Sequence, residues 1–171
     1  MSFANMKVVR FAPWNVGQST MNSDFSCSPG NDSYKLPCAI RFTRVFHHAI
    51  QLLRDKLTTE QKSRVAAVLP TVRWNFEDID LVVDLQLRQD LPDISIARQA
   101  VRDPAMQITI NRETLHDSAW GRTSFGAAFL SGDLRIHGLP PLALTRFIPL
   151  MKHMLASYRE ALEQFDETSN A

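Results

Sequence analysis

The chain has 171 residues, of which 44% are hydrophobic and 22% charged, and its formal net charge at pH 7 is +1. This is the length of one domain, and it can bury about two thirds of its unfolded surface. The near-neutral charge gives no strong electrostatic case for nucleic-acid binding, although Arg residues (14) outnumber Lys residues (5). No apolar run approaches the ~20 residues of a membrane span, and no secretory signal is evident. Cys27 and Cys38 are too few for a disulfide framework or a four-ligand zinc motif. We expect a soluble, cytoplasmic protein.

The first 37 residues differ in composition from the rest. They are rich in polar and turn-forming residues, as in the stretch from Ser26 to Ser33. Such a segment does not bury enough apolar surface to offset the entropy of ordering. We therefore predict a flexible arm over residues 1–37 and a single domain over residues 38–171. Its aromatic residues Phe3, Phe11 and Trp14 leave open a docked fragment.

Two helices are predicted next. Between Ile40 and Leu57, apolar residues recur every three or four positions, which is the spacing of an amphipathic helix. A second, shorter helix is predicted from Thr59 to Leu69. We expect Thr59 to cap it, and Pro70 lies just beyond its end.

The hydrophobic period then changes to two, which predicts strands with one buried and one solvated face. Val72, Trp74 and Phe76 form the first apolar set, and alternate residues from Ile79 to Leu87 form the second. The shift of phase at Glu77-Asp78 predicts a two-residue hairpin. Its turn residues are poor ones for a short hairpin, so a bulge in one longer strand is the alternative.

Three further strands and two further helices are predicted. Ile94–Ala100 is a weak strand, and Met106–Ile110 is a clearer one, followed by a helix that Asn111 caps and that ends near Ala119. The fifth strand lies between Gly132 and Gly138. From Leu144 a broad apolar stripe about 120° wide predicts a long final helix, in which Pro149 causes either a kink or a restart.

No enzyme motif is found. His116-Asp117-Ser118 contains the residue types of a hydrolase triad. Adjacent helical residues point about 100° apart, however, so they do not form the required relay. We interpret the three as helix-cap or surface residues. There is no Gly-x-Ser-x-Gly sequence, and the glycines fit neither a Rossmann fingerprint nor a P-loop.

Metal binding is not indicated either. His47 and His48 are adjacent, whereas zinc-binding helices place histidines four residues apart, so we expect both to be solvated. Asp78, Asp80 and Asp84 are interpreted as the wet face of a strand rather than as a cation site. We predict no catalytic residue, no metal and no cofactor.

The positive signal is apolar. The final helix is rich in Met and aromatic residues, and Met packs adaptably around irregular partners. Trp120, Phe125 and Phe129 come from a short glycine-flanked region. These residues form either an ordinary core or the lining of a ligand site, and periodicity alone favours the core.

Two stretches resemble the sterol carrier protein type-two lipid-binding family. They are Asp103-Pro-Ala-Met-Gln-Ile-Thr-Ile110 and Phe129-Leu-Ser-Gly132-Asp-Leu-Arg-Ile-His-Gly138. The resemblance covers about residues 71–165. The stretch from Asp78 to Leu81 and the Leu36-Pro37 start are similar to relatives in isoprenoid-quinone biosynthesis. Asp133 stands where relatives often have a basic residue.

The resemblance implies an α+β domain with a five-stranded sheet, helices packed on one face, and an apolar tunnel between the layers that holds a lipid. It implies that Ile108, Ile110, Phe129, Leu134 and Ile136 face the helices. With the apolar residues of the final helix, the candidate ligand-binding set is Trp120, Phe125, Phe129, Leu134, Ile136, Phe147, Ile148, Met151, Met154 and Leu155.

The leading hypothesis is thus non-enzymatic binding or transfer of a sterol, a fatty acyl chain or another lipid. One alternative is an accessory lipid-binding factor in ubiquinone biosynthesis, and another is an interaction module with a closed core. The expected partner is a hydrophobic small molecule such as a lipid, sterol or quinone precursor. A transient membrane surface or biosynthetic enzymes are further candidate partners, and nucleic acid is not.

Overall fold

The structure is a computed structural model that describes residues 37–90, 93–138 and 144–169. The predicted arm, apart from Pro37, lies outside these residues. Within them the helices are α1 (Ala39–Lys56), α2 (Thr59–Ala66), α3 (Arg112–Ala119), α4 (Phe125–Ser131) and α5 (Leu144–Ser169). The strands are β1 (Thr71–Phe76), β2 (Leu81–Arg88), β3 (Asp93–Ile96), β4 (Met106–Ile110) and β5 (Leu134–His137).

The five strands form one mixed sheet in the order β3-β2-β1-β4-β5. β1 runs parallel to β4, and the other neighbouring strands are antiparallel. The register aligns Trp74 with Val83 on one side and with Ile108 on the other. Because side chains alternate along a strand, one face of the sheet is continuous and apolar.

Helices α1 and α5 pack against each other over this apolar face. α1 buries the stripe that its sequence predicts, from Phe42 to Leu53, and α5 buries Phe147, Met151, Met154 and Tyr158. The predicted α+β fold, with five strands and helices over one face, is confirmed. α4 was not predicted as a helix, and its short sequence contains no charged residue.

The predicted hairpin of β1 and β2 is confirmed by their antiparallel pairing, but its two-residue turn at Glu77-Asp78 is wrong, and so is the alternative of a bulge. Glu77–Ile79 form one turn of 3₁₀ helix, and Phe76 pairs with Leu81. Asp80 closes the connection with a φ of 52°. Asp is one of the few residues other than glycine that tolerate this left-handed conformation, so the chain turns here without an Asn-Gly pair.

The predicted cap of α2 is wrong, and the predicted cap of α3 is correct in position only, since Asn111 is the N-cap residue. Thr58, not Thr59, caps α2: its Oγ1 accepts from the Gln61 N–H at 3.2 Å, while its own N–H donates to Gln61 Oε1 at 2.9 Å. This reciprocal pair is a capping box. At α3, Asn111 makes no side-chain cap. Instead the Arg112 N–H donates to Asp78 Oδ1 at 3.1 Å.

Two segments are shorter than predicted. α2 ends at Ala66 rather than Leu69, and β3 ends at Ile96 rather than Ala100. Asp84 also departs from its prediction as a wet-face residue, because it is only 7% exposed. It lies on the polar face of the sheet, where Arg73 and the backbone of Val101 cover it.

Candidate functional site

A small cavity lies between the two layers. Its volume is about 20 Å³, which suffices for roughly one water molecule. Seven of its lining side chains come from the sheet and five from the helices: Val72, Trp74, Leu85, Leu87, Ile94, Met106, Ile108, Leu53, Phe147, Leu150, Met151 and Met154. All twelve belong to apolar residue types, so the lining favours apolar ligand surface and offers no charge. Among the residues that the structure describes, this small cavity does not extend into an open tunnel.

The lining follows from local structure. On β1 and β2 the alternation of side chains brings Val72, Trp74, Leu85 and Leu87 to the helix-facing side. On α5, residues 147, 151 and 154 are spaced by four and three, which places them on one side of the helix. Leu53 lies in the last turn of α1. The cavity therefore lies where the N-terminal half of α5 meets the C-terminal end of α1 above the sheet.

Three of the ten candidate ligand-binding residues, Phe147, Met151 and Met154, line this cavity. Leu134 is buried in β5, and Ile136 is half-buried and pairs with Ile108, which does line it.

Like Leu134 and Ile136, the other five candidates do not line the cavity. Trp120, Phe125 and Leu155 are half-buried and pack against the core. Phe129 is 52% exposed on α4, and Ile148 is 50% exposed on α5.

Nine lining residues were not among the candidates, although the alternation of β1, β2 and β4 predicts that most of them are buried. The alternation of apolar residues predicts which face of the sheet is buried, but not where a gap remains between the sheet and the helices. That depends on how α5 is seated over the sheet. Hydrophobic periodicity therefore identified the correct face without locating the cavity.

A chain of aromatic contacts leads away from the cavity. Trp74, which lines it, stacks on Phe76 with ring centroids 6.1 Å apart. Phe76 contacts Phe42 at 4.8 Å, and Phe42 contacts Tyr158 at 5.9 Å. Tyr158 in turn meets His116 at a centroid distance of 6.2 Å. These rings fill the space between α1, the sheet and α5.

His116 is not a surface residue, so that interpretation is wrong. It is 2% exposed, and its ring stacks on Trp120 at 4.4 Å. Asp117 instead accepts from Arg122 Nη1 at 3.3 Å. Ser118 is also buried. The three side chains of the triad-like sequence therefore diverge, and they do not form a catalytic relay.

His47 and His48 are half-buried rather than fully solvated. Burial lowers the pKa of His47. His48 Nε2 lies 2.7 Å from Gln164 Oε1 on α5. Across the described parts of the chain, no group of three or more His, Cys, Asp or Glu side chains is arranged to hold a metal ion.

In the described parts of the chain, no helix combines the length and the apolar character that crossing a bilayer requires.

Comparison with known proteins gives structural similarities alone. No protein-family model matches the chain, and no curated protein matches it in sequence. One similar solved structure is the stereoselective inverting sec-alkylsulfatase Pisa1 from Pseudomonas sp., at 20% identity and a TM-score of 0.43. That match covers 57% of this chain but 15% of the sulfatase, so this chain spans a small part of that enzyme's length.

Other similar structures are matched over most of their own length. A ubiquinone synthesis protein, the UbiJ sterol carrier domain, is 11% identical with a TM-score of 0.47, over 67% of this chain and 96% of its own. Sterol carrier protein 2 from Yarrowia lipolytica is 14% identical with a TM-score of 0.42, over 69% and 91% of the two chains. The solved structures similar to this chain thus include sterol carrier domains.

Proposed function

We propose that this protein binds and transfers a hydrophobic ligand, without catalysis, in the apolar space between the sheet and helices α1 and α5. The observation that carries the proposal is the cavity, whose twelve lining side chains are all of apolar types and come from both layers. A site of this composition gains its affinity from burial of apolar ligand surface.

The cavity must enlarge to hold a lipid. Ligand pockets usually measure about 300–1,000 Å³, against about 20 Å³ here. Met151 and Met154 are suited to this change because Met is unbranched and flexible, and fills irregular space. Pro149 lies between Phe147 and Met151 and lacks the backbone N–H that would donate within α5. The N-terminal turns of α5 are therefore the part of the helical layer that separates most readily from the sheet.

The free energies set the expected affinity. Burying roughly 400 Å² of ligand surface contributes on the order of 10 kcal/mol at about 25 cal/mol per Å². Association costs at least about 4 kcal/mol, and moving α5 costs more. The remainder is at most about 6 kcal/mol, which corresponds to a Kd of tens of micromolar or weaker.

The identity of the lipid is a separate part of the proposal. A sterol or a fatty acyl chain is the leading ligand class, and a polyprenyl quinone precursor is the alternative. The Asp78–Leu81 stretch, which is similar to quinone-biosynthesis relatives, supports that alternative. A strain lacking the protein is expected to contain less isoprenoid quinone if the alternative holds. Unchanged quinone content would reject it.

The small cavity volume favours a second candidate function. A core that is nearly full also suits an interaction module that binds another protein and no lipid. The two functions differ in one measurable property, which is the uptake of lipid by the purified full chain.

The test has two stages. Lipid extracted from the purified protein is identified by mass spectrometry, and a fluorescent fatty acid is then titrated into the delipidated protein. A protein that neither carries nor accepts lipid, fatty acid or quinone would contradict the proposal and leave the interaction module.

Two matched variants locate the site. Val72 and Val83 are both buried on the same face of the sheet, but Val72 lines the cavity and Val83 does not. We expect Val72→Phe to reduce fatty-acid binding strongly and Val83→Phe to reduce it less, with circular dichroism confirming that both are folded. Equal losses of binding would show that the ligand lies elsewhere.

A further inference from the structure

Charge is distributed unevenly along α5. Its first sixteen residues, 144–159, contain no Asp or Glu, and their basic residues are Arg146, Lys152, His153 and Arg159. Its last ten residues, 160–169, contain four acidic residues and no basic one. The helix dipole favours the opposite order, with acidic residues near the N-terminus and basic residues near the C-terminus. The stability of the helix itself therefore does not explain this distribution.

The acidic half of α5 is explained by its contacts with α1. Glu160 pairs with Lys56, and Asp166 pairs with Arg41. These ion pairs join the two helices that lie over the sheet. The acidic residues thus have a role within the fold.

The basic half has no such role. Lys152 and Arg159 are exposed, and in the described parts of the chain neither forms an ion pair. They share one side of the helix with Ile148, which is 50% exposed, and Leu155, which is half-buried. At 3.6 residues per turn these four side chains lie within an arc of about 60°, and none of them lines the cavity. We call them the basic flank of α5.

The combination of charged and apolar side chains determines what fits this flank. An anionic bilayer surface offers negative headgroups to Lys and Arg, and acyl chains to apolar side chains just below them. The phosphate backbone of a nucleic acid offers the charge alone. A stable protein partner usually contacts about 20–30 residues, whereas this flank has four. A membrane surface is therefore the partner that matches both its chemistry and its size.

The basic flank also lies on the turns of α5 that cover the cavity. Phe147 and Met151 line the cavity, and Ile148 and Lys152 directly follow them in sequence. Pro149, which lacks a backbone N–H, lies in the same turns. A membrane on this flank would therefore contact the part of α5 that separates from the sheet when a ligand enters or leaves.

We propose that the basic flank of α5 docks on an anionic membrane surface, with Lys152 and Arg159 beside lipid phosphates and Ile148 inserted at the boundary of the acyl chains. This inference rests on the proposed function, because the membrane is then the source and the acceptor of the apolar ligand. Each Lys or Arg near an anionic surface strengthens binding by about fivefold. Salt weakens this attraction by screening it.

The experiment measures co-sedimentation of the purified full chain with vesicles of phosphatidylcholine, either alone or mixed with phosphatidylglycerol. We expect tighter binding to the mixed vesicles, and a loss of that difference at high salt. The double variant Lys152→Gln with Arg159→Gln should bind the mixed vesicles roughly 25-fold more weakly, about fivefold for each charge. Its affinity for phosphatidylcholine alone should be unchanged. Circular dichroism confirms that each variant is folded.

The matched control removes two charges from another surface. Arg98 and Arg102 are exposed in the connection between β3 and β4, which covers the polar face of the sheet. Arg98→Gln with Arg102→Gln changes the net charge by the same amount and should leave vesicle binding nearly unchanged. Equal losses in the two double variants would show that net charge alone attracts the protein, which would overturn the inference.

A third variant tests insertion of the apolar side chain. Ile148→Gln should weaken binding to both kinds of vesicle by about fourfold to tenfold, because the exposed half of an isoleucine is no longer buried. Polyglutamate is the soluble anionic competitor. If the wild type binds polyglutamate as tightly as the mixed vesicles, and Ile148→Gln changes neither affinity, the partner is an acidic protein and the inference is overturned.

The inference and the proposed function fail in different ways. Wild-type protein that takes up fatty acid but binds mixed vesicles no more tightly than neutral ones would overturn the inference and leave the proposed function intact. Wild-type protein that binds mixed vesicles through the basic flank but takes up no lipid would support the docking surface and contradict the proposed function.

Discussion

The guanidinium of Arg73 and the carboxylate of Asp84 form a two-point ion pair across β1 and β2. Arg73 Nε lies 2.7 Å from Oδ1, and Nη2 lies 2.8 Å from Oδ2. The same carboxylate accepts from the Val101 N–H at 2.8 Å, and Arg73 donates to the Val101 carbonyl. The pair thus ties the connection between β3 and β4 to the polar face of the sheet.

Removing one member of this pair should destabilise the fold. In Asp84→Ala the Arg73 guanidinium, whose side chain is 19% exposed, loses its counter-charge, and the Val101 N–H loses its acceptor. We expect the free energy of unfolding in urea to fall by about 2–4 kcal/mol, just below the cost of breaking a fully buried pair.

Two controls distinguish the ion pair from other effects. The double variant Arg73→Leu with Asp84→Leu should recover part of the loss, because an apolar pair carries no desolvation penalty. Asp90→Ala breaks an exposed pair with Arg88 and should leave the urea midpoint unchanged. A loss in Asp90→Ala equal to that in Asp84→Ala would show that burial of the pair does not matter.

Asp84 also shows what the sequence can and cannot predict. Alternation on β2 correctly assigned Leu81, Val83, Leu85 and Leu87 to the helix-facing side. It also correctly assigned Asp84 to the opposite side. It did not predict that the connection between β3 and β4 covers that side. Contacts between residues far apart in sequence have no local periodic signal, so the burial of Asp84 could not be predicted.

Gly138 makes a second testable contact. Its φ is +77°, and a Cβ added there would lie 2.6 Å from the Ala105 carbonyl oxygen. Gly121 has a similar φ of +70° but no atom within 4 Å of an added Cβ. Gly121→Ala should therefore cost only the backbone strain, about 1–2 kcal/mol.

Gly138→Ala should cost that strain plus about 1–3 kcal/mol for the overlap with the start of β4. Thermal unfolding of the two variants measures the difference. Equal losses of stability would show that the close approach to Ala105 is relieved without cost. The resemblance in sequence includes Gly138, and this contact is a physical reason for a glycine at that position.

His47 should make the stability depend on pH. Burial lowers its pKa from the ordinary value of 6.5, so the unfolded chain binds a proton more readily than the folded one. The stabilising contribution is then complete above about pH 6.5 and is lost as the pH falls through the lowered pKa.

His47→Gln should consequently flatten the acid side of the stability curve. Urea midpoints of His47→Gln and of the wild type at several pH values between 7.5 and 5 would measure it. An unchanged acid slope in His47→Gln would assign the pH dependence to other groups.

For the candidate site, as for the fold, the sequence predicted some features and not others. The Met and aromatic content of the final helix pointed to Phe147, Met151 and Met154, and all three line the cavity. Phe129 and Ile148 met the same criterion of apolarity but lie half-exposed. Composition identifies apolar side chains, whereas the direction in which they point depends on how α4 and α5 are seated on the sheet. The sequence of a short helix such as α4, or of a helix interrupted by proline such as α5, does not predict that seating.

Pro149 should affect both the stability of α5 and the rate at which a ligand enters the cavity. It interrupts the hydrogen bonding of α5 between two residues that line the cavity, Phe147 and Leu150. Pro149→Ala restores a donor and removes a clash worth about 3 kcal/mol, offset by about 0.4–1 kcal/mol because the unfolded chain becomes more flexible. We expect a net gain of about 2 kcal/mol in the free energy of unfolding.

The same variant should slow the uptake of a fluorescent fatty acid in stopped-flow measurements, because the N-terminal turns of α5 then separate less often from the sheet. Gly126→Ala is the matched control. Its added Cβ meets only Ser124 Oγ, at 3.9 Å, and it should stabilise α4 by about 0.5–1 kcal/mol without slowing uptake. If both variants slow uptake in proportion to their stability, entry requires global unfolding. If Pro149→Ala raises stability and uptake stays as fast, the ligand enters at a different edge of the two layers.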